Sequence, residues 1–187
     1  MSTTTTRPLL ADALPTADLI HDRARIEAAI LGMGKQLDAK LQGEVPIFLT
    51  VMNGGLLFAG ALALAMHNDL EFDYLHATRY RSGTSGHELR WIKHPNVSMR
   101  GRSVLLVDDI LDEGHTIKAI RDHCVAEGAC RVLVAVLCEK RHGRTVPGIR
   151  ADFVGLEVPD RYVFGYGMDF YEQGRNLPGI YALKDDA

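Results

Sequence analysis

Apolar residues recur every three or four positions near the start of the chain, a spacing typical of an amphipathic helix. The pattern predicts a helix over residues 15–42, which Thr16 caps and Gly43 ends. The stretch before this helix is polar and shows no periodicity. We therefore expect a flexible N-terminal arm over residues 1–14 and a single domain over residues 15–187.

Further along the chain, short apolar runs predict strands, and helical patterns lie between them. Residues 71–78 alternate polar and apolar, which predicts a half-exposed strand. Helices are expected from about Leu56 and over residues 116–127. This β-α-β-β-α-β order predicts an α/β fold with a mainly parallel twisted sheet flanked by helices. The remaining strands are expected to be buried in the sheet, at residues 45–52, 103–107, 131–137 and 152–157.

A long polar stretch over residues 79–95 separates two of these strands. Compact domains rarely keep such loops unless they act as lids or binding loops. The stretch is therefore a candidate lid, and its alternative interpretation is a solvated loop without a role.

Composition narrows the classes of function. The net charge is −3, which predicts no basic face for nucleic acid. The longest apolar run has eleven residues, too few to span a bilayer, and the N-terminus lacks the apolar segment of a secretory signal. The three cysteines match no common zinc or redox spacing and fit a reducing compartment. We expect a cytoplasmic protein without nucleic-acid or membrane partners.

The most informative stretch of the chain is residues 104–116, where four apolar residues end in two carboxylates, Asp108 and Asp109. Asp112 follows, and a helical pattern begins after a glycine and a threonine. Open α/β sheets bind ligands at the carboxyl ends of their strands. Acids and free backbone N–H groups at such an edge are suited to hold a cation and a phosphate.

The turn after Asp112 has the residues of an anion cradle. Gly114 permits a backbone turn in which successive N–H groups converge on an anion. The next helix directs its positive end to the same point, and Thr116 offers a hydroxyl. The combination fits a monophosphate, although a capped strand-to-helix turn is also common in α/β proteins without such a role.

Residues 104–116 as a whole resemble the phosphoribosyl-pyrophosphate (PRPP) signature of the type I phosphoribosyltransferases. The resemblance is closest to the hypoxanthine-guanine branch of that family and covers about residues 45–181. It implies the type I phosphoribosyltransferase fold, with a small hood subdomain built from the terminal segments. It also implies Mg²⁺ as the cofactor and a homodimer or homotetramer.

The resemblance assigns roles to the residues of this stretch. Asp108 and Asp109 would lie near the ribose hydroxyls of PRPP, and Asp112 would be the general base near N7 of the purine. Mg²⁺ would be held by Asp169 together with the first two acids. The 5′-phosphate would be bound by Glu113, Gly114, His115 and Thr116, with the side chain of Glu113 pointing away and its N–H contributing.

Other segments match the family's contacts to pyrophosphate. Asn53 and Gly54 follow the first buried strand and resemble the pyrophosphate loop, although several relatives carry lysine where this chain has Asn53. Arg175 matches an arginine that touches pyrophosphate. Arg79 and Tyr80 lie at the start of the candidate lid, where relatives often have Ser-Tyr.

A third group of residues matches the family's purine site. Lys140 would donate a hydrogen bond to O6 of the base, which selects 6-oxopurines over adenine. Tyr162 would stack on the base, and the backbone of Val163 would read its edge. Without the resemblance, Lys140 would be interpreted as a surface charge, and the aromatic residues would be assigned to the core.

The resemblance thus implies a purine-salvage transferase that joins hypoxanthine, and guanine as well, to PRPP and releases pyrophosphate. Two alternatives stay open at this point: a regulator of the same fold that binds PRPP or nucleotide without catalysis, and a transferase directed at xanthine or a pyrimidine. A P-loop nucleotidase is not favoured, because the chain contains no G-x-x-x-x-G-K-[ST] sequence.

Overall fold

The computed structural model describes residues 7–79 and 89–184. Its helices are α1 (Leu10–Ala13), α2 (Arg23–Lys40), α3 (Leu56–Ala65) and α4 (His115–Ala126), with a 3-10 turn at Leu14–Thr16. Its strands are β1 (Asp18–His21), β2 (Ile47–Met52), β3 (Glu71–Arg79), β4 (Leu89–Lys93), β5 (Ser103–Leu111), β6 (Arg131–Lys140), β7 (Phe153–Val158), β8 (Val163–Phe164) and β9 (Ile180–Ala182). None of the described helices combines the length and apolarity of a membrane span.

Six strands form the main sheet in the order β4-β3-β2-β5-β6-β7. Neighbouring strands from β3 to β7 run parallel, and β4 runs antiparallel to β3 at the edge. Alternate residues of β2, β5 and β6 enter two separate cores, so that Phe48 packs with α2 and α3 while Leu49 packs with α4. Burial on both faces explains why these strands are continuous apolar runs, and the predicted α/β fold is confirmed.

The helix predicted over residues 15–42 is wrong at its start, because Asp18–His21 form strand β1. This segment pairs with β9, which lies more than 150 residues later in the chain, and no local pattern reports such a partner. The helix begins at Arg23 after Asp22, whose side chain accepts a hydrogen bond from Arg25 N–H at 2.8 Å. Asp22 therefore caps α2, and Thr16 lies outside the helix.

Part of the predicted N-terminal arm has regular structure. Leu10–Ala13 form the short helix α1, and the Leu10 N–H donates to Gln173 Oε1 at 3.1 Å. Gln173 Nε2 donates in turn to the carbonyl of Pro8 at 2.9 Å. These contacts tie residues 8–13 to the C-terminal part of the chain, while the flexibility of residues 1–14 and the domain limits 15–187 stay predictions.

The predicted loop over residues 79–95 is not a loop throughout, because Leu89–Lys93 form the strand β4. Trp91 explains this strand: it is partly buried against the α4 side of the core and stacks on His94, with ring centroids 4.5 Å apart. Pairing with β3 satisfies the backbone of β4. Residues 80–88, the centre of the candidate lid, lie outside the described residues.

A second, three-stranded sheet has the order β1-β9-β8 and is antiparallel throughout. Its strands come from segments near both ends of the chain. Arg161 fastens it by donating to the Asp18 carboxylate at 2.7 Å and to the Leu183 carbonyl at 2.7 Å. The small sheet is joined directly to Tyr162 and the segment 165–175, which reaches the end of the main sheet.

Candidate active site

A cleft of about 590 Å³ lies at the carboxyl ends of β2, β3, β5 and β6. The parallel sheet places the ends of these strands at one edge, which is where α/β folds bind their ligands. Most of the predicted site residues line this cleft: Asn53, Gly54, Asp108, Asp109, Asp112, Gly114, Thr116, Lys140, Tyr162, Val163, Asp169 and Arg175.

The side chains of two predicted phosphate residues are directed elsewhere. Glu113 and His115 do not line the cleft, and His115 Nε2 lies 3.7 Å from Glu113 Oε2. The carbonyl of Glu113 accepts a hydrogen bond from Val146 N–H at 2.9 Å. Of the two lid residues, Tyr80 lies outside the described residues, and Arg79 is described only as the last backbone position of β3.

The acid pair, Asp108 and Asp109, lies inside β5 rather than after it. The strand was expected to end at Val107, but its ladder with β6 continues to Leu111. The Asp109 N–H donates to Asp108 Oδ1 at 2.9 Å, and Asp108 is only 8% exposed. Burial, together with the charge of Asp109, raises the pKa of Asp108 well above its ordinary value. Ionising two neighbouring carboxyls in these surroundings costs free energy, and a bound cation would reduce that cost.

Burial also raises the pKa of Asp109, although the nearby charge of Arg175 opposes this effect. The loop at Asn53 and Gly54 packs directly against Asp109, after a cis peptide bond between Met52 and Asn53. A β-carbon on Gly54 would collide with the Asp109 carboxylate. Glycine is therefore required for the loop and the acid pair to line the same wall of the cleft.

The anion cradle begins at Gly114, which has a φ of +84° and precedes the first residue of α4. A β-carbon there would lie 2.7 Å from a methyl group of Ile149, so the left-handed turn and the tight packing both favour glycine. The turn presents the N-terminus of a twelve-residue helix to the cleft, with Thr116 on the cleft wall. This is the arrangement that binds phosphate at helix N-termini.

Asp112 is held by two cationic or hydrogen-bond-donating side chains. Its Oδ2 lies 2.8 Å from Lys140 Nζ, and its Oδ1 lies 2.6 Å from His142 Nε2. Although partial burial raises it, hydrogen bonds from Lys140 and His142 hold the pKa of Asp112 below its ordinary value. Sequence reasoning missed His142, and the only signal was its position two residues after Lys140.

The opposite wall of the cleft comes from the segment after β8 and from Tyr162. The ring of Tyr162 is 42% exposed and is parallel to that of Tyr171, with centroids 6.0 Å apart. Arg175 donates to the carbonyl of Gly167 at 2.7 Å and lies 2.7 Å from Asp169 Oδ1. These contacts place an exposed aromatic face and one cation at the rim of the cleft.

Glu172 is a further cleft residue that the sequence did not indicate. Its N–H donates to Asp169 Oδ2 at 2.9 Å, and its carboxylate lies 3.3 Å from Arg175. No group of three or more His, Cys, Asp or Glu within residues 7–79 and 89–184 is arranged to hold a metal ion alone. A metal at this site would therefore take part of its ligands from a bound substrate or water.

The family model for the phosphoribosyl transferase domain matches residues 16–173. Together with the fold and the cleft, this match shows that the chain belongs to the phosphoribosyltransferase family. Within the family it belongs to the hypoxanthine-guanine branch. It is 35% identical to the hypoxanthine-guanine phosphoribosyltransferase of Bacillus subtilis over 160 residues, which cover 85% of this chain and 88% of that protein.

Two further comparisons describe the extent of the likeness. The crystal structure of a hypoxanthine phosphoribosyltransferase from Staphylococcus aureus superposes with a TM-score of 0.86 at 27% identity, covering 95% of this chain and 97% of that one. The bifunctional protein TilS/HprT of Listeria innocua is 36% identical over 162 residues, or 86% of this chain. The chain spans 25% of the length of that longer relative.

Proposed function

We propose that this chain transfers the 5-phosphoribosyl group of PRPP to N9 of hypoxanthine or guanine and releases pyrophosphate. The observation that carries the proposal is the convergence, in one cleft, of the Gly114 cradle, the acid pair and the Asp112–Lys140 ion pair. The curated relative from Bacillus subtilis is a hypoxanthine-guanine phosphoribosyltransferase, which supports the same reaction here.

At the phosphate end, we expect the N–H groups after Gly114 and the Thr116 hydroxyl to hold the 5′-phosphate. The ribose hydroxyls would then lie against Asp108 and Asp109. This anchoring fixes the anomeric carbon between the purine and the leaving pyrophosphate, and such positioning supplies much of the rate enhancement of a group transfer.

At the purine end, Tyr162 would stack on the base, and the Val163 backbone would contact its edge. Lys140 has three donors, of which one is directed to Asp112, so it can also donate to O6 of a 6-oxopurine. Adenine has an amino group at that position and cannot accept this bond. Asp112 would take up or hold the N7 proton while N9 attacks C1′ and the C1′–oxygen bond to pyrophosphate breaks.

The residues of the cleft fit Mg²⁺ as the cofactor. Asp108 is buried and Asp109 half-buried, both with raised pKa values, and Asp169 lies on the facing wall. Mg²⁺ prefers oxygen ligands and usually takes few of them from protein when a phosphate substrate supplies the rest. When bound, the ion would neutralise charge on the departing pyrophosphate, a task that Arg175 would share.

Initial rates with PRPP and four bases, hypoxanthine, guanine, xanthine and adenine, test the proposal. We expect turnover with the first two, loss of turnover when Mg²⁺ is chelated, and none with adenine. Turnover with xanthine alone would support the xanthine-directed alternative. Binding of PRPP without turnover on any base would support the regulatory one. The homodimer or homotetramer and the cytoplasmic location stay predictions.

A further inference from the structure

The strongest unexplained feature of the cleft is the environment of His142. Its side chain is only 3% exposed, although it follows the last residue of β6 by two positions. Its Nε2 lies 2.6 Å from Asp112 Oδ1, the shorter of the two contacts that hold this carboxylate. Among the described residues, Asp112 is the acid that lies within hydrogen-bond distance of this buried imidazole, so we expect His142 to act on the reaction through that base.

The other ring nitrogen defines the hydrogen-bonding state of His142. Its Nδ1 lies 3.1 Å from the backbone nitrogen of Arg144, which can only donate. Nδ1 must therefore be the acceptor, and the ring proton resides on Nε2, where it is donated to Asp112 Oδ1. A neutral imidazole satisfies both contacts, whereas a doubly protonated ring would direct a second N–H at that of Arg144.

The two partners of Asp112 then have different tasks. Lys140 touches Oδ2 and in the proposed reaction also donates to O6 of the base, so its position is shared between Asp112 and the substrate. His142 touches Oδ1 and is anchored at its far side by the backbone, so its contact does not depend on the substrate. One carboxylate oxygen is thus left for N7 while the other is fixed.

We propose that His142 is the positioning residue of Asp112: its Nε2–H keeps the carboxylate oriented and ionised while Lys140 engages the base. This inference rests on the proposed function only where it concerns turnover. The orientation and ionisation of Asp112 in the free protein are properties of the chain itself and can be measured without a substrate.

Two variants separate this role from a purely structural one. In His142→Asn, the short amide can still accept the Arg144 N–H, but it cannot reach Asp112. In His142→Gln, the longer amide can place an N–H near the position of Nε2 and donate to Asp112. The pair therefore differs in the contact to the base, while each retains one of the two hydrogen bonds of the native ring.

In the free protein, the Asp112 carboxyl is titrated by carbon-detected NMR in wild type and both variants. We expect its pKa to rise in His142→Asn, because the carboxylate loses a donor, and to stay near the wild-type value in His142→Gln. In turnover with hypoxanthine and PRPP, His142→Asn should lower kcat about tenfold and move the acidic limb of the kcat profile to higher pH. The KM for PRPP should change little.

An unchanged Asp112 titration in His142→Asn overturns the inference, whatever the activity. Equal losses of kcat in the two variants also overturn it, since the retained donor then has no effect. If wild type shows no turnover with any base while the Asp112 titration still shifts as expected, the proposed function fails and the positioning of Asp112 stands.

Discussion

The acid pair and Asp112 lie within five residues of each other at the end of β5, yet their surroundings shift their pKa values in opposite directions. Asp108 is buried, Asp109 is half-buried beside it, and the pKa values of both are raised. Asp112 is held between Lys140 and His142, and its pKa is lowered. Burial acts on all three carboxyls, and only Asp112 has two donors close enough to outweigh it.

The difference teaches how one strand end can carry two kinds of chemistry. An acid pair with raised pKa values is destabilised when ionised until a cation arrives, which suits a metal–pyrophosphate complex. A carboxylate that is already ionised and oriented is suited to hold a proton during transfer. Four predictions test this contrast, and they are given from the largest expected effect to the smallest.

Removing the charge of Asp112 should have the largest effect. Asp112→Asn keeps the shape of the side chain but cannot take up the N7 proton, so we expect turnover to fall at least about tenfold and as much as about 10⁴-fold. Steady-state kcat with hypoxanthine measures this. Asp122→Asn, which removes an exposed carboxylate paired with Lys118 on α4, is the control and should retain turnover. Full activity in the Asp112 variant would exclude a base role.

Truncating Lys140 should separate the two substrates. A charge-assisted hydrogen bond contributes about 1.5–3 kcal/mol, so Lys140→Ala should raise the KM for hypoxanthine by about 10–100-fold and that for PRPP much less. The matched control is Lys118→Ala on α4, whose partner is the exposed Asp122. Equal losses for both substrates would contradict purine recognition by Lys140.

A methyl group at Gly54 should displace one member of the acid pair. Because a β-carbon there would collide with the Asp109 carboxylate, we expect Gly54→Ala to lower the free energy of unfolding by about 1–3 kcal/mol and to weaken PRPP binding. Urea denaturation and PRPP titration measure the two effects. Gly60→Ala on α3, where a β-carbon meets no atom within 4 Å, should be neutral or stabilising. An unaffected Gly54 variant would show that the loop can move away.

The smallest expected effect is on the free energy of unfolding, and it should have opposite signs for substitutions of Asp108 and of Asp112. The raised pKa of Asp108 means that the folded state retains its proton to higher pH than the unfolded state. Folding is therefore not penalised below the unfolded pKa of about 3.9, and the penalty grows as pH rises toward the folded value. Asp108→Asn should raise the free energy of unfolding at neutral pH by about 0.5–2 kcal/mol, and this gain should vanish in acid.

Asp112 has the reverse dependence, because its pKa is lowered in the folded state. Its stabilisation is present above the unfolded pKa of about 3.9 and disappears as pH falls through the folded value. Asp112→Asn should therefore lower the free energy of unfolding at neutral pH, by less than about 1 kcal/mol because the side chain is partly exposed. Urea denaturation of both variants at several pH values measures the pair. Changes of the same sign in the free energy of unfolding of the two variants would contradict the contrast between Asp108 and Asp112.

The part of the site that is contiguous in sequence could be located from the residues themselves, whereas its remote residues were located through the family resemblance. The run from Asp108 to Thr116 can be recognised in the sequence because a buried strand, two acids and a glycine turn are consecutive. Glu113 and His115 were included in the cradle for their place in this run. The side chain of Glu113 was expected to point away while its N–H contributes, and neither side chain lines the cleft. Neighbouring residues in the sequence predict the path of the backbone, but they do not predict the direction of each side chain.

The partners of Asp112 illustrate the opposite case. Lys140 and His142 lie about 30 residues later, and only the parallel pairing of β5 with β6 brings them to the same carboxylate. Without the family resemblance, Lys140 would have been interpreted as a surface charge, and the position of His142 two residues after Lys140 was the only sign of its role. The strand β1 was missed for the same reason, because its partner β9 is remote in sequence.

The sequence by itself determined the α/β class, the approximate positions of the parallel strands along the chain and the position of the acids and glycines at one strand end. It could do so because hydrophobic periodicity and turn chemistry act over a few neighbouring residues. Only the tertiary structure decided which acids stay buried against each other and which one meets a lysine and a histidine. Charge environments depend on distances of a few ångströms between segments far apart in the chain, and no local pattern encodes those distances.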